Sequence, residues 1–387
     1  MNSSITGIHY ETGDFIQLHI QDGRIARIES RPLQPDDDKV GLGIVAPGLF
    51  DFQINGYMGM DLNDPPLSTE SVVRLTRALW KEGVTRYLPT VITQSREVIE
   101  NSVRVIAEAC LSDEMVSRCA AGIHLEGPFI SPEDGPRGAH NKAYVTAPDW
   151  GLFQRWQEAA RGKIRLITLS PEWPEAADFI SSCVRSGVQV SIGHTNATTA
   201  QLREAVDAGA RMSTHLGNGS HPMLPRHPNY IWDQLAEDEL WAGFIADGFH
   251  LPDSVLKVIL KVKGARAILV SDAVALSGME PGEYETPIGG KVVFTPEGRL
   301  HVAEHPKLLA GSAQMLPWGI NHLVNAGLCS LSEAWNLASI TPARFLGVAD
   351  PTGLTEGANA DVVIMKQDSD NLCIKETYKD GKLVYQA

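Results

Sequence analysis

Basic residues are in short supply: 33 Lys and Arg stand against 47 Asp and Glu, a formal net charge of -14 over 387 residues. A phosphate polymer or an anionic membrane is repelled on average by such a chain, which argues against nucleic-acid and membrane-surface roles but not against a local pocket for one small anion. Cysteine is also thin. Cys110, Cys119, Cys183, Cys329 and Cys373 are an odd number without C-x-x-C spacing, which disfavours a disulfide framework and a thiolate metal cluster and fits a reducing cytoplasm. No apolar run approaches the roughly 20 residues of a membrane span, and Met1-Asn-Ser-Ser-Ile-Thr-Gly7 has neither the basic nor the apolar part of a secretory signal. Repeats, heptads and low-complexity tracts are missing, which disfavours a solenoid. The expectation is a soluble, cytoplasmic protein with no nucleic-acid or membrane partner.

The two chain ends are β-rich and the middle is not. Alternating segments at Ile5 to Ile8, Phe15 to Ile20 and Arg24 to Glu29 are separated by turn signals; Ala360 to Met365 and a hairpin around Asp380-Gly381 follow at the far end. Between them the pattern alternates strand and helix eight times, with Ser68 and Ser95 as N-caps and Gly209 at a helix end. An open doubly wound sheet is the rival, but its G-x-G-x-x-G fingerprint is absent after the first strand. The fold class predicted is α/β: a (β/α)8 TIM-like barrel over 47–347, with a small β-sandwich built from residues 1–46 and 348–387.

Four predicted strands end on residues that carry chemistry. Ile-His-Leu-Glu126 is stopped by Gly127-Pro128; Ser-Ile-Gly-His194, Met-Ser-Thr-His215 and Leu-Val-Ser-Asp272 do the same in later units. A single His at a strand end is more often a hydrogen-bonded structural residue than a ligand. Three such residues on three strands are different, because barrel enzymes draw their sites from several strand ends at one face. Two imidazoles and one carboxylate leave an open position on a divalent cation, zinc by ligand type, and lower the pKa of its water toward about 7. Asp272 then becomes the candidate base. His140, His221, His227 and His250 lie in loops after strands, while His305 and His322 read as surface or packing residues.

Eight motifs in order give the chain a resemblance. They are Ala46-Pro-Gly-Leu-Phe-Asp-Phe-Gln-Ile-Asn-Gly56, Leu88-Pro-Thr90, His124-Leu-Glu-Gly-Pro128, Gly138-Ala-His-Asn141, Gly193-His-Thr-Asn-Ala197, Thr214-His-Leu-Gly-Asn218, Ile245-Ala-Asp-Gly-Phe-His250 and Ser271-Asp-Ala273. Through them the chain resembles the N-acetylglucosamine-6-phosphate deacetylases of the amidohydrolase superfamily. The resemblance implies a homodimer with a shared active site and one divalent metal ion per subunit on Glu126, His194 and His215. It implies Asp272 as general base and then acid, His140 at the reacting carbonyl, and Asn218, Gly219, His250, Leu309 and Ala310 at the substrate. Acetate and an amino sugar phosphate would be the products.

Two departures matter. Many amidohydrolases carry His-x-His after the first strand, whereas this chain has Gln53-Ile-Asn55, and neutral amides are weak ligands for a second metal. The segment Gly219 to Tyr230 is unusually rich in His and Pro. In the family an arginine of this loop reaches the sugar phosphate across the dimer interface; Arg226, with His227 beside it, is the nearest match. An unphosphorylated or isomeric N-acetylhexosamine, a cyclic amide, and a non-catalytic sugar-phosphate sensor are the alternative readings.

Overall fold

Eight parallel strands run in chain order through the computed structural model, which describes all residues except 1, 35, 36, 38–40, 287–289, 349–351 and 370. They are Leu49–Ile54, Val84–Ile92, Ile123–Glu126, Ile164–Leu169, Gln189–Ile192, Met212–Ser213, Trp241–Ile245 and Ala267–Val270, each paired with its sequence neighbour. The first and last then meet. Ile54 bridges Ala273 in parallel, Asn55 N–H donates to the Ala273 carbonyl at 2.8 Å, and Ser271 N–H donates to Asp51 Oδ1 at 3.2 Å. The predicted barrel is present.

The connecting helices begin where the sequence places caps. Ser68 and Ser95 accept hydrogen bonds from Ser71 N–H and Val98 N–H, and Thr198 with Gln201 forms a capping box. Gly209, at φ 111°, ends the Thr199–Asp207 helix in a conformation that suits glycine. Helix Arg96–Ser112 shows how these elements attach: Ile99, Val103, Ile106 and Cys110 recur at helical spacing and are buried. Each fully buried aliphatic side chain contributes about 1.5–3 kcal/mol. The strands between are near-continuous apolar runs, as parallel strands covered on both faces require; all four residues of Ile123–Glu126 are buried.

Both termini join one seven-stranded sheet, in the order Lys382–Gln386, Asn371–Lys379, Val362–Asp368, Ile44–Pro47, Asn2–His9, Phe15–Gln21, Arg24–Arg31. The sheet curls back on itself, so that Ile25 N–H reaches the Ala358 carbonyl at 2.9 Å. Ile5, Ile16, Leu18, Ile20 and Val362 form its own apolar core.

The long connection after the eighth strand holds structure that the sequence reading left unassigned. Gly282–Thr286, Gly290–Phe294, Leu300–Val302 and His305–Leu309 form a four-stranded antiparallel sheet. Val292, Phe294 and Leu300 pack beneath it with Leu276. Helices Leu331–Leu337 and Ile340–Leu346 also went unassigned, although Ser330 and Glu333 form a capping box legible in sequence.

Candidate metal centre

Glu126 closes the third barrel strand, and His194, His215 and Asp272 each lie two residues past the ends of the fifth, sixth and eighth. The last three hold positive φ: 50° for His194, 28° for His215 and 50° for Asp272. L-residues adopt this region at a cost of order 1–2 kcal/mol, and such strain gathers at functional sites. It turns each side chain inward over the barrel mouth.

The side chains converge. Glu126 Oε1 lies 3.2 Å from His194 Nε2 and 3.0 Å from His215 Nε2. The two Nε2 atoms are 3.1 Å apart, and His140 Nε2 is 3.2 Å from that of His194. The tautomer of His194 follows from its other nitrogen, which sits 2.8 Å from the Pro136 carbonyl. A carbonyl only accepts, so Nδ1 carries a proton and Nε2 is the nitrogen left to act as a ligand. Gly138 and Gly219 make room for the ring: a Cβ on Gly219 would meet His194 Nδ1 at 2.6 Å.

A divalent cation fits these donors. Two imidazole lone pairs and an accept-only carboxylate crowd one point with too few protons to satisfy one another. Gln53 Nε2, Asn55 Oδ1, His140 Nδ1 and His215 Nδ1, all buried nearby, have no hydrogen-bond partner among the described residues. Among the described residues, Glu126, His140 and His194 offer ligand atoms within 4.8 Å of one another, and His215 Nε2 joins them at the distances above. Burial works against the Glu126 charge, but the hydrogen bonds and charges of His194 and His215 hold its carboxyl well below the usual range. Burial, followed by the charge of His194, lowers His140 to about 3 and keeps it neutral.

Asp272 faces this cluster and is held by one specific bond: Asn55 Nδ2 donates to its Oδ1 at 2.8 Å. Burial and then the Glu126 charge push its carboxyl up to about 6. Gln53 and Asn55 offer only neutral amides beside the cluster, and these are weak ligands for a second cation. Below the cluster the barrel interior is polar, with His124 Nε2 2.7 Å from Thr168 Oγ1, and Thr168 and Ser191 both bonded to Thr214.

A cavity of about 340 Å³ opens over the site. Asn218, Gly219, His250, Leu309 and Ala310 line it together with Glu126, His140, His194, His215 and Asp272. His250 is fixed by Asp247, whose Oδ2 accepts from Nδ1 at 2.7 Å while Oδ1 accepts the Phe249 and His250 amides at 2.9 Å. Asp247 is the second half of a dyad that the sequence reading missed, although Asp three residues before His was the available signal. Asp61, Val292 and Leu300 also line the cavity. Arg226 and His227 do not; both are exposed on the loop before the Tyr230–Ala236 helix. No Lys or Arg lines the cavity among the described residues.

Comparison with known proteins identifies the family. The amidohydrolase family model matches residues 44–384. An N-acetylglucosamine-6-phosphate deacetylase of Lysinibacillus sphaericus is 33% identical over 376 residues, covering 96% of this chain and 94% of its own. That of Bacillus subtilis (strain 168) is 34% identical over 357 residues, covering 90% and 88%. A Mycobacterium smegmatis deacetylase mutant, solved in complex with N-acetyl-D-glucosamine-6-phosphate, superposes with a TM-score of 0.84 at 27% identity over 99% of both chains. The chain is an enzyme of the N-acetylglucosamine-6-phosphate deacetylase family of amidohydrolases.

Proposed function

We propose that the protein hydrolyses the N-acetyl amide of N-acetylglucosamine 6-phosphate, releasing acetate and glucosamine 6-phosphate. The observation that carries this reading is the convergence of Glu126, His194 and His215 on one point with Asp272 beside it, in a cavity of sugar size. Those three residues would hold one divalent cation, zinc by its preference for nitrogen and carboxylate ligands, which supplies Lewis acidity and an acidified water. Asp272 takes the proton from the attacking water and returns it to the departing amine nitrogen, a poor leaving group unless protonated. Its burial suits both duties, because a carboxyl raised to about 6 is a stronger base toward water than an ordinary carboxylate and is still acidic enough to protonate a departing amine. Asn55 fixes the rotamer from which it acts. His140 stands at the cluster as a neutral donor for the carbonyl oxygen as charge develops there. His250, oriented by Asp247, offers Nε2 to a sugar hydroxyl.

The phosphate sets the oligomeric reading. A single chain presents no Lys or Arg to the cavity among its described residues, while Arg226 lies exposed on a loop flanked by Met223 and Trp232, 87% and 54% exposed. Apolar side chains so exposed beside a candidate phosphate ligand favour a homodimer in which each copy lends Arg226 to the other's site. A cavity without Lys or Arg among the described residues also supports a second reading, an unphosphorylated or isomeric N-acetylhexosamine. A cyclic-amide substrate is less well served, since the bridging lysine common in that class has no counterpart on the cavity wall. No described helix is long and apolar enough to cross a membrane; we place the enzyme in the cytoplasm on its cysteine usage. Acetate release from N-acetylhexosamines with and without a 6-phosphate separates the readings: the phosphorylated gluco epimer is expected to lead, and equal rates would reassign the substrate.

A further inference from the structure

A second cavity, of about 520 Å³, lies at the opposite end of the barrel, between the strand N-termini and the terminal sheet. Arg24, Arg86, Arg118, Arg165 and Lys379 line it, against one acidic lining residue, Asp380. In a chain with 33 basic residues and a net charge of -14, five cations on one concave surface run against the overall electrostatics, and the catalytic cavity has none. We propose that this cavity is a binding site for a phosphate-bearing small molecule, separate from the catalytic centre.

Neighbouring carboxylates account for part of the charge. Asp361 Oδ2 accepts from Lys379 Nζ at 2.7 Å and from Arg86 Nε at 3.3 Å, a buried network that ties the barrel to the terminal sheet. Arg118 donates to Asp380 at 3.0 Å and to Glu114 at 2.5 Å. Arg24 donates to the Gly357 carbonyl at 2.8 Å. Arg165 has no ion pair or hydrogen bond to a described residue, yet its stem is placed by packing. It lies across Gly122, where a Cβ would come within 2.4 Å of Arg165 Cγ. Gly122 thus leaves the room that this arginine stem occupies.

Guanidinium groups bind phosphate oxygens in a bidentate fork. The volume exceeds what inorganic phosphate needs and falls within the range of small-molecule sites, roughly 300–1,000 Å³. Leu346 and Val348 provide an apolar wall for an organic remainder. The overall negative charge disfavours a nucleic-acid polymer here, because its flanks would run over a repelling surface. Arg86 and Arg165 sit near the starts of the second and fourth barrel strands, so a ligand there acts at a distance from the chemistry.

The test is calorimetric titration of the metal-loaded enzyme with inorganic phosphate at constant ionic strength, chloride serving as the balance. Wild type is expected to bind phosphate at one site per chain that Arg165→Glu lacks, and Arg165→Ala to weaken that site at least about tenfold. Arg165→Lys is expected to fall between them. Arg165 is exposed and far from the catalytic residues, so kcat and KM without phosphate stay at wild-type values. Phosphate bound at the catalytic centre would persist in all variants and cancels in the comparison. Identical titrations for wild type and Arg165→Glu, or binding reproduced by chloride alone, would overturn the proposal.

Discussion

Asn55 Nδ2 and Asp272 Oδ1, 2.8 Å apart and 217 positions apart in sequence, join the ends of the first and last barrel strands directly over the candidate metal centre. Asn55 is the one side-chain hydrogen-bond partner of Asp272 among the described residues, so the amide fixes where its second oxygen points. Asn55→Ala is expected to lower kcat about tenfold or more while leaving KM and metal content close to wild type. A KM effect alone would assign Asn55 to substrate binding instead.

The ligand set predicts stoichiometry. Protein purified with its metal is expected to hold about one divalent ion per chain by elemental analysis, and His194→Ala to lose both metal and activity. Two tightly held ions per chain would contradict the single site formed by Glu126, His194 and His215.

Asp51 gives a pH signature in stability. Its carboxylate is buried at the base of the barrel mouth, accepting from Ser271 and Gln53 amides, and burial raises its pKa from 3.8 to about 7. The folded state therefore keeps a proton that the unfolded chain releases. Stability from this group is complete below pH 4 and falls as pH rises to about 7, at up to about 1.4 kcal/mol per pH unit. Denaturant melts of wild type against Asp51→Asn across that window are expected to show wild type losing ground as pH rises. A pH-independent difference would mean that Asp51 ionises normally.

The shared-site reading makes a separate prediction. Arg226→Ala is expected to raise KM for the 6-phosphate substrate roughly tenfold or more, a charge-assisted bond being worth about 1.5–3 kcal/mol, with little effect on the plain sugar. Mixing Arg226→Ala chains with Asp272→Asn chains is then expected to restore activity, because each hybrid has one site with its own Asp272 and the other copy's arginine. No recovery on mixing would confine Arg226 to its own chain.

The barrel was readable because parallel strands buried on both faces leave apolar runs, and because Ser68, Ser95 and Thr198 cap helices through local bonds. Glu126, His194, His215 and Asp272 stood out as polar residues ending such runs. The positive φ at three of them is not fixed by residue type, since His and Asp enter the left-handed region more often than most residues but only in a minority of positions. Asn55 looked like a lost ligand, and only the closure of the barrel, which sequence separation hides, shows it donating to Asp272. The sheet over 282–309 escaped notice because its strands are three to five residues long and largely solvent-facing, with Val292, Phe294 and Leu300 as sparse buried anchors.

The most direct measurement compares acetate release from N-acetylglucosamine 6-phosphate by wild type and Asp272→Asn, each verified to carry the same metal content. Asparagine keeps the shape but cannot accept the proton from water, so turnover is expected to fall by about two orders of magnitude or more with metal retained. Near-normal turnover in Asp272→Asn, or no acetate from wild type with its metal in place, would contradict the account.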